Sequence, residues 1–126
     1  MKSLLAILLL VVIAPVAWAE LPSASDVVAT QALASGRPTL VDLGSGSCAS
    51  CKQMAPILEE LAGSHRGQAN VLFIDVREDN AAARRFAIQM IPTQIFFDAK
   101  GKEISRHIGF MNRDDLIKGL QAAGLK

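Results

Sequence analysis

The chain has 126 residues, with 13 Lys and Arg against 12 Asp and Glu, a formal charge of +1 at pH 7. That length holds one small domain around a single core. The charge balance leaves no basic patch for nucleic acid and no long charged run for an electrostatic partner.

The first segment does not read as part of a fold. Met1 and Lys2 make a short positive start, and Ser3 to Val16 is almost wholly apolar. Ala17-Trp18-Ala19 then places small residues at the two positions a signal peptidase reads. This predicts a secretory signal peptide over residues 1–19, cleaved before Glu20, and a single domain over residues 20–126. The apolar run is short for a bilayer span of about 20 residues, and an uncleaved anchor is the alternative. No cysteine lies near the cleavage point, which argues against a lipid anchor there. Trp18 falls in the discarded segment. The mean hydropathy of +0.32 is inflated by this segment and is no sign of membrane character.

Ser23 or Ser25 can cap a first helix running to about Ser35, with Gly36 as its stop. Thr39–Leu43 reads as a buried strand and Gly44–Ser47 as a loop. A helix begins at Cys48, with Met54, Ile57, Leu58 and Leu61 on one face and Gly63 as its end. Pro56 inside it is expected to kink the axis. Asn70–Val76 is a second strand, and Ala81–Ala87 a short helix. Thr93–Phe97, a tight turn over Asp98–Gly101, and Glu103–Ile108 form a hairpin. Asn112 caps a last helix, with Asp115 completing the cap and Leu116, Ile117, Leu120 and Ala123 on its apolar face. Alternating helices and strands followed by a hairpin predict an α/β fold with a mixed sheet and helices on both faces.

The only two cysteines are Cys48 and Cys51. A structural disulfide stabilises most when it closes a long loop, and this one would enclose only two residues. Redox chemistry or metal binding explains the pair better. Cys48 stands where a helix begins, and backbone N–H groups there favour an anion, the reactive form of a thiol. Cys51, one turn on, is placed to attack a mixed disulfide formed by the first sulfur.

Taken with Val41-Asp42-Leu43, Cys48-x-x-Cys51-Lys52, Met54–Glu60, Ile74-Asp75 and Ile91-Pro92-Thr93, in that order, the chain resembles the thioredoxin family along nearly all of residues 20–126. The resemblance implies a thioredoxin-like fold with a central four- to five-stranded mixed sheet. It implies a thiol–disulfide oxidoreductase with Cys48 attacking and Cys51 resolving through a redox-active disulfide, without a cofactor. Pro92 looks like the family's cis-proline, and Ile91, Pro92 and Thr93 would line the bound substrate, Ile91 through its backbone. Asp42 looks like the family's buried carboxylate. Burial would raise its pKa and let it take the Cys51 proton, directly or through water.

The sequence departs from the family in several places. Ser47 stands where thioredoxins usually carry Trp, Gly44 replaces another aromatic, and Val71 stands in the place of a lysine near the carboxylate. Ala49-Ser50 lies between the cysteines, with no His or Lys to favour a thiolate strongly, so a reducing or intermediate poise is expected. With the export signal, this predicts a periplasmic monomer that reduces protein disulfides and draws electrons from a membrane donor of the DsbD or CcdA kind. Isomerase or oxidase activity is the alternative. So is a copper or metal carrier, although His65 and His107 read as surface or packing residues. Met90, Phe110 and Met111 are candidates for an apolar rim or for ordinary packing.

Overall fold

A computed structural model describes residues 20–126; the expected signal segment, with Trp18, lies outside the described residues. The elements are α1 (Asp26–Leu33), β1 (Thr39–Gly44), α2 (Ala49–Ser64), β2 (Asn70–Asp75), α3 (Asn80–Arg85), β3 (Thr93–Phe97), β4 (Glu103–Ile108) and α4 (Arg113–Ala122). The order and type are those expected from the sequence, and the ends differ.

The helix starts follow local chemistry. Ser25 Oγ accepts from Val28 N–H, and Asn112 Oδ1 accepts from Asp115 N–H at 3.0 Å. Asp115 completes the cap through the Asn112 side chain, whose Nδ2 donates to Oδ2 at 2.8 Å. Helix α2 runs unbroken through Pro56 and Gly63. Gly63 is not its end. His65 closes it by donating its N–H to Leu61 O, and the left-handed turn falls at Gly67, with φ +82°.

The sheet order is β2-β1-β3-β4, with β1 parallel to β2 and antiparallel to β3, and β3 antiparallel to β4. A parallel bridge from Ser23 to Phe73 extends the sheet beyond β2. Every residue of β1 and β3 is buried, because helices cover both faces and alternate side chains enter different cores. Leu40, Val71 and Phe96 pack with Met54, Leu58 and Leu61 of α2 and Leu116 and Leu120 of α4. Val41, Leu43, Ile95 and Phe97 pack on the opposite face with Ala29, Ala82 and Phe86. Each large apolar side chain removed from water contributes about 1.5–3 kcal/mol. Strand β4 is exposed along its length and carries Glu103, Arg106 and His107, charged or polar groups that discourage pairing at an open edge.

Candidate active site

Strand β1 ends at Gly44 in the sheet interior. Ser45, Gly46 and Ser47 then turn the chain, with Cys48 N–H donating to Ser45 O at 3.2 Å. Asp75, at the end of β2 and in register with Gly44, holds this turn: its Oδ2 accepts from Gly46 N–H at 3.0 Å and its Oδ1 from Arg77 N–H at 2.8 Å. Burial pushes the Asp75 carboxyl up. Backbone N–H groups of Gly46, Arg77 and Glu78 outweigh this and leave it below its ordinary value.

Cys48 is the N-cap of α2 and Cys51 lies in its first turn; the two form a disulfide with Cα atoms 5.2 Å apart. Their environments differ. Cys48 is half-buried, and its Sγ accepts from the backbone N–H of Cys51 at 3.3 Å. Cys51 is only 5% exposed. A helix start therefore aims a donor at the outer sulfur, and the inner sulfur sits behind it. A cleft borders Cys51, walled by Leu21, Ala55, Leu58 and Phe73.

Asp42 is fully buried and shares a face of β1 with Gly44. Desolvation raises its pKa from 3.8 to about 6, against the opposing pull of a hydrogen bond from Gln94 Nε2 to Oδ1 at 2.8 Å. Val71 lies in the apolar core, so the polar partner of Asp42 comes from β3 and not from β2. Sequence reasoning missed Gln94. Its one signal was an amide inside the apolar run Thr93-Gln94-Ile95-Phe96-Phe97. The role of Asp75 in holding the turn was also missed.

The Ile91–Pro92 peptide is cis. Leu43 pairs with Thr93, so the end of β1 and the start of β3 are neighbours, and Pro92 emerges at the end of the sheet that leads to Cys48. Pro92 O accepts from Gly109 N–H at 2.8 Å, and Thr93 Oγ1 donates to Met90 O at 2.7 Å. Met90 and Phe110 are exposed here, while Met111 packs on the core and donates its N–H to Met54 Sδ. Sequence-predicted site residues thus converge on one end of the sheet. His65 caps the far end of α2, roughly 25 Å from Cys48 along the helix. His107 lies on β4 with Nε2 3.2 Å from Phe110 O. Among the described residues, no group of three or more His, Cys, Asp or Glu is arranged to hold a metal ion.

The thioredoxin family model matches residues 24–122. The chain belongs to the thioredoxin family. It is 39% identical over 82 residues to a thioredoxin of Staphylococcus saprophyticus, covering 65% of this chain and 78% of that one. It is also 38% identical over 88 residues to a bifunctional thioredoxin reductase/thioredoxin of Mycobacterium leprae, covering 70% of this chain and 19% of that one. The fold is similar to a single-site mutant of a thioredoxin from Halobacterium salinarum, with a TM-score of 0.72 and 24% identity, over 82% of this chain and 88% of that one. The protein is a thiol–disulfide oxidoreductase of the thioredoxin type, acting on protein thiols and disulfides.

Proposed function

We propose that this thioredoxin-family protein reduces protein disulfides outside the cytoplasm, with Cys48 as nucleophile, Cys51 as resolving thiol and Asp42 as proton acceptor. The observation that carries the reading is the asymmetry of the two sulfurs: one at the surface under a helix N–H, the other buried behind it. The Cys48 thiolate attacks a substrate disulfide, forming a mixed disulfide and releasing one substrate thiolate. Cys51 gives its proton to Asp42 and attacks the Cys48 sulfur, releasing the second substrate thiolate. Two electrons pass to the substrate, and the protein is left with the Cys48–Cys51 disulfide. Asp42 lies two residues back from Gly44 on the same face of β1, and the Cys51 sulfur packs against Gly44, which supports a proton transfer between them, directly or through water.

Ile91, Pro92 and Thr93 form the substrate-binding edge in this reading, with an extended substrate segment beside the sulfurs. The export signal over residues 1–19 supports a periplasmic site of action for the domain over residues 20–126. A reductase there must be recharged, and a membrane dithiol donor of the DsbD or CcdA kind fits that need.

A disulfide-reduction assay tests the chemistry. Wild type is active, Cys48→Ser is inactive, and Cys51→Ala accumulates a mixed disulfide through Cys48. Equal activity of Cys48→Ser and wild type overturns the assignment. Equilibration with glutathione tests the direction, and a strongly oxidising potential overturns the reductase reading. Sequencing the N-terminus of periplasmic protein tests export, with Glu20 as the expected first residue.

A further inference from the structure

Asp42 and Gln94 face each other across the β1–β3 pair, 52 residues apart in the chain, and both are fully buried. Gln94 is a polar residue in a strand whose neighbours pack into the two cores. Its amide makes one hydrogen bond, to Asp42 Oδ1. Among the described residues, two acceptor atoms of the pair are buried without a partner, Asp42 Oδ2 and Gln94 Oε1. A glutamine held only for packing would gain nothing over an apolar side chain of the same length, because an unmatched buried acceptor is unfavourable. The arrangement makes chemical sense if the carboxylate must be held still and must also change its charge. An N–H donated to Oδ1 strengthens when that carboxylate is ionised. Oδ1 is then occupied, and Oδ2 is the oxygen open to a proton.

We propose that Gln94 is a positioning residue for the resolving step: its amide fixes the Asp42 carboxylate through Oδ1 and reserves Oδ2 for the proton leaving Cys51. This rests on the reading of Asp42 as proton acceptor. Strand β2 places Phe73 opposite Asp42, and α4 brings Leu116 and Leu120 to the same face of the sheet. Helix α2 supplies Cys51, which approaches the neighbouring Gly44. Strand β4 sets His107 opposite Gln94, exposed and bonded toward Phe110 O. Burial raises the Asp42 pKa and the Gln94 amide opposes it.

The test follows the Asp42 side-chain carboxyl carbon by NMR in the disulfide form, where neither sulfur titrates. Gln94→Met keeps the length and removes the donor. The expected result is an upward move of the Asp42 midpoint by about one pH unit, a tenfold loss of ionised carboxylate below the midpoint. Resolution of a Cys48 mixed disulfide slows by about five- to eightfold at pH 5.5–6, and the deficit narrows toward pH 9, about three units above the wild-type midpoint. A midpoint that stays in place or moves down overturns the proposal. A second readout needs no variant: in wild type, the Gln94 side-chain N–H signals shift with the Asp42 midpoint, and a flat response across that range overturns it too. Asp42→Asn separates this idea from the reading beneath it. If that variant resolves at the wild-type rate, the proton-accepting role falls. If it resolves slowly while Gln94→Met leaves the midpoint unmoved, Gln94 alone falls.

Discussion

A Cβ atom added to Gly44 would lie 2.9 Å from the Cys51 sulfur and 3.2 Å from the Phe73 ring. Glycine at the end of β1 therefore lets the strand pass directly beneath the inner half of the disulfide. The backbone there does not need glycine for its φ angle, so the effect of a side chain is one of space. Gly44→Ala should crowd the sulfur where it sits in the disulfide and leave the dithiol, whose Cys51 side chain can rotate away, less affected. The equilibrium with glutathione should shift toward the reduced form by about tenfold, or ~30 mV. An unchanged or more reducing potential would show that Cys51 has room the structure does not give it.

The buried carboxylate should also mark the pH dependence of stability. Asp42 has an ordinary pKa of 3.8 and is raised to about 6 in the fold. Above pH 6 it is charged in both states but buried only in the folded one, so it opposes folding there. As pH falls through this window the folded state takes up the proton first, and the penalty is relieved below 3.8. Two pKa units correspond to about 3 kcal/mol. In urea titrations of the disulfide form, Asp42→Asn should be more stable than wild type by about 1–3 kcal/mol at pH 8. The gap should close near pH 3.5, where wild type has lost its charge. A variant less stable than wild type at both pH values would contradict this sign.

The two sulfurs differ in access, and alkylation should report it. In the reduced protein at neutral pH, iodoacetamide should label Cys48 at least about tenfold faster than Cys51. Reactivity follows thiolate character and exposure together. Peptide mapping after a short pulse gives the ratio. Labelling of Cys51 first, or of both equally, would remove the basis for their separate roles.

Gly119 in α4 presents two opposing effects. Replacing a helix-interior glycine by alanine gains up to about 1 kcal/mol from propensity. Here the new Cβ would meet the Phe96 ring at a separation no real contact allows, and that ring is 1% exposed and held between α4 and the sheet. Overpacking of this kind costs about 1–3 kcal/mol, so packing should win and Gly119→Ala should lower the melting temperature. A rise in melting temperature would show that Phe96 can retreat.

The match between sequence and structure follows the range of each signal. Ser25 and Asn112 were readable as caps because each bonds a group three residues away. Gly63 misled as a helix stop, since the reversal depends on Gly67 and on the His65 N–H bonding back to Leu61. Asp42 could be read as buried from its apolar neighbours Leu40, Val41 and Leu43, but its partner could not be read.

By itself the sequence determined the order of helices and strands, the apolar faces, and a cysteine pair at a helix start. Each of these is written in residues adjacent in the chain or one helical turn apart. Tertiary structure alone decided that Gln94 faces Asp42, that Gly44 lies under Cys51, and that Asp75 holds the turn before Cys48. Those contacts depend on strand register and on how α2 settles against the sheet. A shift of one residue in register would turn each of these strand side chains to the other face.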